Sequence, residues 1–273
     1  MLRKGDLTQG GITGTLLHFT LPMMVGSFLQ QCYNIADTLI VGQCIGAGAL
    51  AAVGSAYTLM VFLISVLLGL AMGSGTVFSL HYGAGNHVAL RRSIFSSFVL
   101  IGIVTLILNV AVFIWLDPIL RLLQVPQDIY GMMRSYSWII FCGIVFTFIY
   151  NFYASLLRAV GDSVTPLWFL AVSVVLNIAL DLFFILQLDW GIQGAAAATV
   201  LAQGVAALGI IIYTYRRRPE LRWHHEDMCF DRTCLKEIAS FSTLTCVQQS
   251  VMNLGILMIQ GLVNSFGTAV MEI

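Results

Sequence analysis

Charge is what this sequence has least of. Only 10% of its 273 residues are Asp, Glu, Lys or Arg, whereas soluble globular domains carry about 25%, so water is not the main solvent of the folded chain. The small charge is also balanced. Thirteen basic residues stand against thirteen acidic ones, which excludes nucleic acid as a partner, because that needs a basic excess on one face. Paired cysteines are missing as well: Cys32, Cys142 and Cys246 lie in apolar runs, Cys229 and Cys234 in a charged loop, and Cys44 alone in a turn on the other side. That distribution suits a reducing interior and no disulfide framework. Alternation of apolar and polar residues is absent from the long runs, which excludes a transmembrane barrel.

What is abundant is hydrophobic, at 59%, with a mean hydropathy of +0.90. A helix needs about 20 apolar residues to cross roughly 30 Å of hydrocarbon, and seven runs qualify, with approximate limits 16–41, 53–80, 93–116, 132–156, 166–188, 192–215 and 238–265. The first run is too long for a signal-peptide core and has no small-residue cleavage site after it, so it is expected to be retained. The expected fold is an all-α, polytopic membrane helix bundle, with the lipid bilayer as its solvent.

Orientation follows from the connections. With the N-terminus inside, Arg3, Lys4, Arg91, Arg92, Arg158, Arg216, Arg217, Arg218, Arg222, Arg232 and Lys236 are cytoplasmic, and only Arg121 and Arg134 are outside. Between Arg216 and Glu237 the composition turns charged and polar, and Pro219 ends the sixth run. This linker divides the chain into a six-helix lobe at 1–215, a cytoplasmic segment at 216–237, and the first helix of a second lobe at 238–273. His224, His225, Cys229 and Cys234 in this region match the spacing of no standard zinc finger and read as a solvated linker.

The seventh run echoes the first. Gln30-Gln31 and Asn34 run parallel to Gln248-Gln249 and Asn253, and Ile45-Gly46-Ala47 to Phe266-Gly267-Thr268. Both copies start from the same side after six intervening spans, so the repeat is expected to be parallel and related by an axis along the membrane normal. The remainder of a second six-helix lobe is then expected after Ile273.

Of the acidic residues only Asp37 and Asp181 fall well inside apolar runs. Charge at the bilayer centre costs about 2.5 to 3.5 kcal/mol, which makes each a functional candidate. Neither stands alone. Ser27, Gln30, Asn34 and Asp37 share one helical face, as do Ser173, Asn177 and Asp181, while Thr199 and Gln203 mark a third helix and Gln249, Asn253, Gln260 and Asn264 a fourth. Such faces imply a shared hydrated interior. They also serve as helix glue at roughly 0.6 kcal/mol per hydrogen bond, a reading that fits Gln30, Asn34, Gln249 and Asn253 equally well. Two carboxylates fit it poorly, since amides make the same bonds without a charge. Pro22 reads either as a proline tolerated near a helix start or as a kink, and Pro166 as a helix-opening proline after Gly161 to Thr165.

Three stretches resemble the multidrug and toxic compound extrusion (MATE) transporters. They are Leu21-Pro22 through Gln30-Gln31, Asn34, Asp37-Thr38 and Gly42 to Gly54; Leu157-Arg158-Ala159-Val160-Gly161-Asp162 with Thr165-Pro166; and Gly194 to Thr199. The likeness is closest to the bacterial and archaeal DNA-damage-inducible type. It implies a two-lobed, non-enzymatic exporter of the bacterial inner membrane, without a cofactor, that exchanges cationic, amphipathic drug-like compounds for sodium ions or protons. It further implies a first-lobe cation site at Asp37, Asn177, Asp181 and Thr199, which would hold sodium where sodium is the coupling ion, and a helix bend at Pro22. The missing partner is then the second lobe. A lipid-linked precursor flippase of the same superfamily is the alternative, disfavoured because the spans hold no interior Lys or Arg, and an inactive truncated lobe is another. An intramembrane aspartyl protease fails because neither aspartate stands in a Gly-x-Gly-Asp turn.

Overall fold

The computed structural model describes residues 12–122, 125–223 and 232–265. Arg3, Lys4, His224, His225, Cys229 and the Phe266-Gly267-Thr268 echo lie outside the described residues, as do the side chains of Gln260 and Asn264. Every described element is a helix. In chain order they are α1 (Ile12–Cys44), α2 (Ala47–Gly83), α3 (His87–Leu122), α4 (Gln127–Cys142), α5 (Ile144–Ala159), α6 (Val164–Leu182), α7 (Gly191–Arg217) and α8 (Arg232–Ser265). A π-helical turn over Phe183–Gln187 extends α6, and a 3-10 turn over Pro219–Leu221 follows α7.

The seven apolar runs map onto these helices, with one correction. The fourth run, read as continuous over 132–156, is broken at Gly143 into α4 and α5, which meet at 48°. Among the described residues, α2, α3, α6 with its π turn, and α7 are long and apolar enough to cross a membrane, and the bent α4–α5 pair makes a fifth span. Helices α1 and α8 have 33 and 34 residues, and at about 1.5 Å per residue they are long enough to cross a bilayer. Their polar stripes dilute the apolarity that marks the other five.

Large apolar side chains such as Phe28, Leu106, Trp168, Val175 and Leu244 point outward, as they do when lipid is the solvent. The interior is filled by Phe78, Phe141, Phe152, Ile94, Ile101, Leu156 and Ile210, all essentially without exposure. Phe152 meets Phe78 edge-on at 5.9 Å and Phe98 at 5.3 Å, which locks α2, α3 and α5 together.

Turns at the basic end carry their own chemistry. Gly161 has φ of 87°, a left-handed conformation that glycine adopts without a Cβ penalty. It delivers Asp162 to the start of α6, where its carboxylate accepts the Thr165 N–H at 3.0 Å and the Thr165 hydroxyl at 2.9 Å. Arg218, at the end of α7, donates to the same carboxylate at 3.3 Å. One acidic side chain thus ties two helix ends.

Pro22 stands ten residues after the first residue of α1, with helix on both sides. The reading as a helix-start proline therefore fails, and its ring removes an interior backbone hydrogen bond. Cys234, expected in the loop, is buried inside α8, because that helix begins earlier than the apolar run suggests.

Helix α8 does not stand apart from the six-helix bundle; it lies along α2. Gly69 and Gly73 are one turn apart on α2, and a methyl group at either would lie only 2.4 Å from the Cα of Cys246 or Ser242. Small residues at this spacing let two backbones approach, as membrane helices require when hydrophobicity cannot drive their pairing. The Ser242 hydroxyl adds a bond to the Leu70 carbonyl at 3.2 Å and lies 3.4 Å from the Ser74 hydroxyl. At the basic end His81 Nε2 reaches Glu237 at 3.5 Å.

Candidate ion-binding site

Helices α1, α6 and α7 converge so that four of the polar residues picked out by spacing meet. Asn177 and Asp181 are buried on α6, at 1% and 0% exposure, and Asp37 on α1 retains 9%. The Asp37 and Asp181 carboxyls are near neighbours, and because two bare carboxylates repel, a proton or a cation between them would relieve the pair. Asn177 satisfies its neighbours when its amide is turned so that the nitrogen donates to Asp181 Oδ2 at 2.9 Å and the oxygen accepts the Thr199 N–H at 3.2 Å. Thr199 Oγ1 lies 3.3 Å from the Tyr33 hydroxyl. One oxygen of each carboxylate, Asp37 Oδ1 and Asp181 Oδ1, is buried with no hydrogen-bond partner among the described residues.

Asp37 belongs to the wall of a cavity of about 140 Å³, whereas Asn177 and Asp181 are not among its lining residues. A water needs at least 10 to 15 Å³ of such space, so several waters or a partly hydrated ion fit, whereas drug-sized ligands occupy about 300 to 1,000 Å³. The chamber is of ion size. Gln30, Asn34 and Asp37 line it from α1 and Thr199 and Gln203 from α7, as their spacing implied. Oxygen donors from two carboxylates, an amide and a hydroxyl make a set suited to a hard monovalent cation.

Two expectations are not met. Ser27, grouped with the α1 stripe, is exposed and bonds back to its own helix at Met23 O. Gln249 and Asn253 lie on α8, half-buried and buried, and neither lines the chamber; their helix is carried to α2 by the glycine contacts, away from Asp37. The structure also adds residues the sequence did not signal. Tyr33, Tyr57 and Tyr136 wall the chamber, Asn34 donates to the Tyr57 hydroxyl at 3.2 Å, and Tyr136 sits close enough to feel both carboxylates. Tyrosine in a membrane protein ordinarily reads as an interfacial anchor, which is why these three carried no signal. Only Tyr33 was within reach, one turn before Asp37.

The chain is similar to several known proteins. The chain is 33% identical over 99% of its length to "Probable multidrug resistance protein YpnP" of Bacillus subtilis (strain 168), of which it covers 60%. It is 31% identical over 74% of its length to "Multidrug export protein MepA" of a Staphylococcus saprophyticus strain, of which it covers 45%. The chain thus spans about half of the length of these curated relatives. In fold it superposes on the outward-facing conformation of a multidrug resistance MATE family transporter of the MOP superfamily, with a TM-score of 0.87 at 24% identity, covering 94% of this chain and 57% of that one. The MatE family matches residues 22–183, a stretch that includes Pro22, Asp37, Asn177 and Asp181, and this multi-pass membrane chain therefore belongs to the MATE family.

Proposed function

We propose that this chain forms the first lobe, with the opening helix of the second, of a secondary transporter that exports cationic amphipathic compounds in exchange for sodium ions or protons. The observation that carries the reading is the pair of buried neighbouring carboxylates, Asp37 and Asp181, each with one unpartnered oxygen, beside an ion-sized chamber that Asp37 lines. Asn177 holds Asp181, and Thr199 supplies a hydroxyl next to both Asn177 and Tyr33. A coupling ion entering from outside neutralises the pair, α1 bends near Pro22, and the drug leaves outward. The basic end of the bundle, with Arg91, Arg158 and Arg217, lies in the cytoplasm, and the membrane is the bacterial inner membrane. The chamber is smaller than drug-sized pockets, which supports a substrate path between this lobe and a second one.

In a two-lobe transporter carrying these residues, Asp37→Asn and Asp181→Asn keep the shape of the site and remove the charge the ion needs. Both variants should accumulate normally in proteoliposomes and lose drug exchange against an imposed sodium or proton gradient. Exchange at the normal rate by either variant overturns the assignment.

A further inference from the structure

Asn109 lies within the apolar stretch of α3, where an amide is expensive unless it is bonded. Its Nδ2 donates to the Phe141 carbonyl at 2.6 Å. That carbonyl belongs to the last turn of α4, immediately before the break in the fourth span. Around the break the backbone tightens: the Gly143 N–H reaches the Ile140 carbonyl at 2.9 Å and the Phe146 N–H reaches the Gly143 carbonyl at 2.9 Å. Asn109 therefore holds the break from outside, from a third helix.

The break faces α7. A Cβ at Gly143 would lie 2.5 and 2.8 Å from the two methyl groups of Val200, so the absence of a side chain there lets Val200 rest on the bent backbone. Val200 is β-branched and stiff, and its neighbour in the chain is Thr199. Gly143 and Val200 also line the ion-sized chamber. A continuous path of contacts thus runs from Asn109 through Phe141, Gly143 and Val200 to Thr199, with no member of it before Thr199 offering an oxygen to the ion.

We propose that Asn109 is a positioning residue of the ion site: by holding the Phe141 carbonyl it fixes the break at Gly143, which sets how closely α7 approaches and hence where Thr199 stands. The inference rests on the coupling-site reading above. It goes beyond that reading by assigning a role to a residue outside the chamber and to the bend itself.

The test uses this chain in lipid bilayers and follows the infrared absorption of protonated carboxyl groups during sodium and pH titrations. The parent should show a sodium- or pH-dependent carboxyl signal that Asp37→Asn and Asp181→Asn remove; a signal that survives both substitutions overturns the coupling site and the positioning role with it. Asn109→Leu should keep the amplitude, because every ligand remains, and raise the half-saturating sodium concentration by about threefold to tenfold, the consequence of leaving one buried carbonyl unpaired. The midpoint in pH should move by about 0.5 to 1 unit on the same scale. Gly143→Ala should act in the same way by pushing Val200 off the bend, and Val200→Ala added to it should bring the titration back to within about twofold of the parent, since it removes the clash. A helical Asn109→Leu chain that titrates at the parent midpoints refutes the positioning role while leaving the coupling site standing. If Asn109→Leu fails to accumulate, Gly143→Ala at parent midpoints refutes it equally.

Discussion

The contact between α2 and α8 gives a sharp structural test at Gly73. Carbon atoms rest about 3.5 to 4.0 Å apart, so a methyl placed 2.4 Å from Ser242 Cα must drive α8 back by about 1 Å or more. Ser242 Cα is backbone and the new Cβ is held rigidly by the α2 backbone, so neither atom can swing away to absorb the clash. Overpacking of this kind costs about 1 to 3 kcal/mol. The retreat also breaks the bond from Ser242 to the Leu70 carbonyl and the contact with Ser74, each worth roughly 0.6 kcal/mol in membranes. The total of about 2 to 4 kcal/mol shifts the pairing equilibrium by roughly thirtyfold to several hundredfold. Disulfide trapping reads it directly. The Ser74 and Ser242 hydroxyls are 3.4 Å apart, so Ser74→Cys with Ser242→Cys, in a background whose native cysteines are replaced by serine, places two thiols within bridging reach. Mild oxidation should cross-link this pair within minutes, visible as a gel shift, and Gly73→Leu should slow the reaction by about tenfold or more. Cross-linking at an unchanged rate after Gly73→Leu, or none in the parent pair, would refute the packing.

Further outcomes follow from the other contacts. With the basic end inside, an impermeant thiol reagent applied to intact cells should label exposed Cys44 and spare Cys229, and the reverse pattern would invert the topology. Thr199→Val removes the hydroxyl shared with Tyr33 and should raise the coupling-ion requirement by about threefold to tenfold on the scale of one or two membrane hydrogen bonds; Tyr33→Phe should add little on top, and full additivity in drug exchange would separate the two residues. Asp162→Ala removes the bonds to Thr165 and Arg218 together and should lower resistance to unfolding by about 1 to 2 kcal/mol, which denaturant titration in micelles would contradict by showing no change.

The amino-acid sequence by itself determined the helical architecture and which polar residues were candidates for the site. Spans were legible because lipid demands a length of continuous apolarity, and the basic connections were legible because charge is excluded from it. Asp37, Asn177, Asp181 and Thr199 could be picked out because helical periodicity turns spacings of three and four into a common face, and because a carboxylate inside a span has no inexpensive structural use. Gly69 and Gly73, with three residues between them, suit a close helix partner, but neither the apolar runs nor the polar faces pointed to them. Only the tertiary structure decided that α8 is that partner, which removed Gln249 and Asn253 from the chamber despite their resemblance to the stripe on α1. Only the tertiary structure brought Tyr33, Tyr57 and Tyr136 to the carboxylates, joined Asn109 to Phe141, and broke the fourth span at Gly143. The reason is common to all of these. Local sequence encodes which face of a helix is polar and how long the helix runs, whereas the pairing of faces depends on contacts between residues far apart in the chain, such as Gly143 with Val200 and Gly73 with Ser242, whose complementarity exists only after the helices have packed.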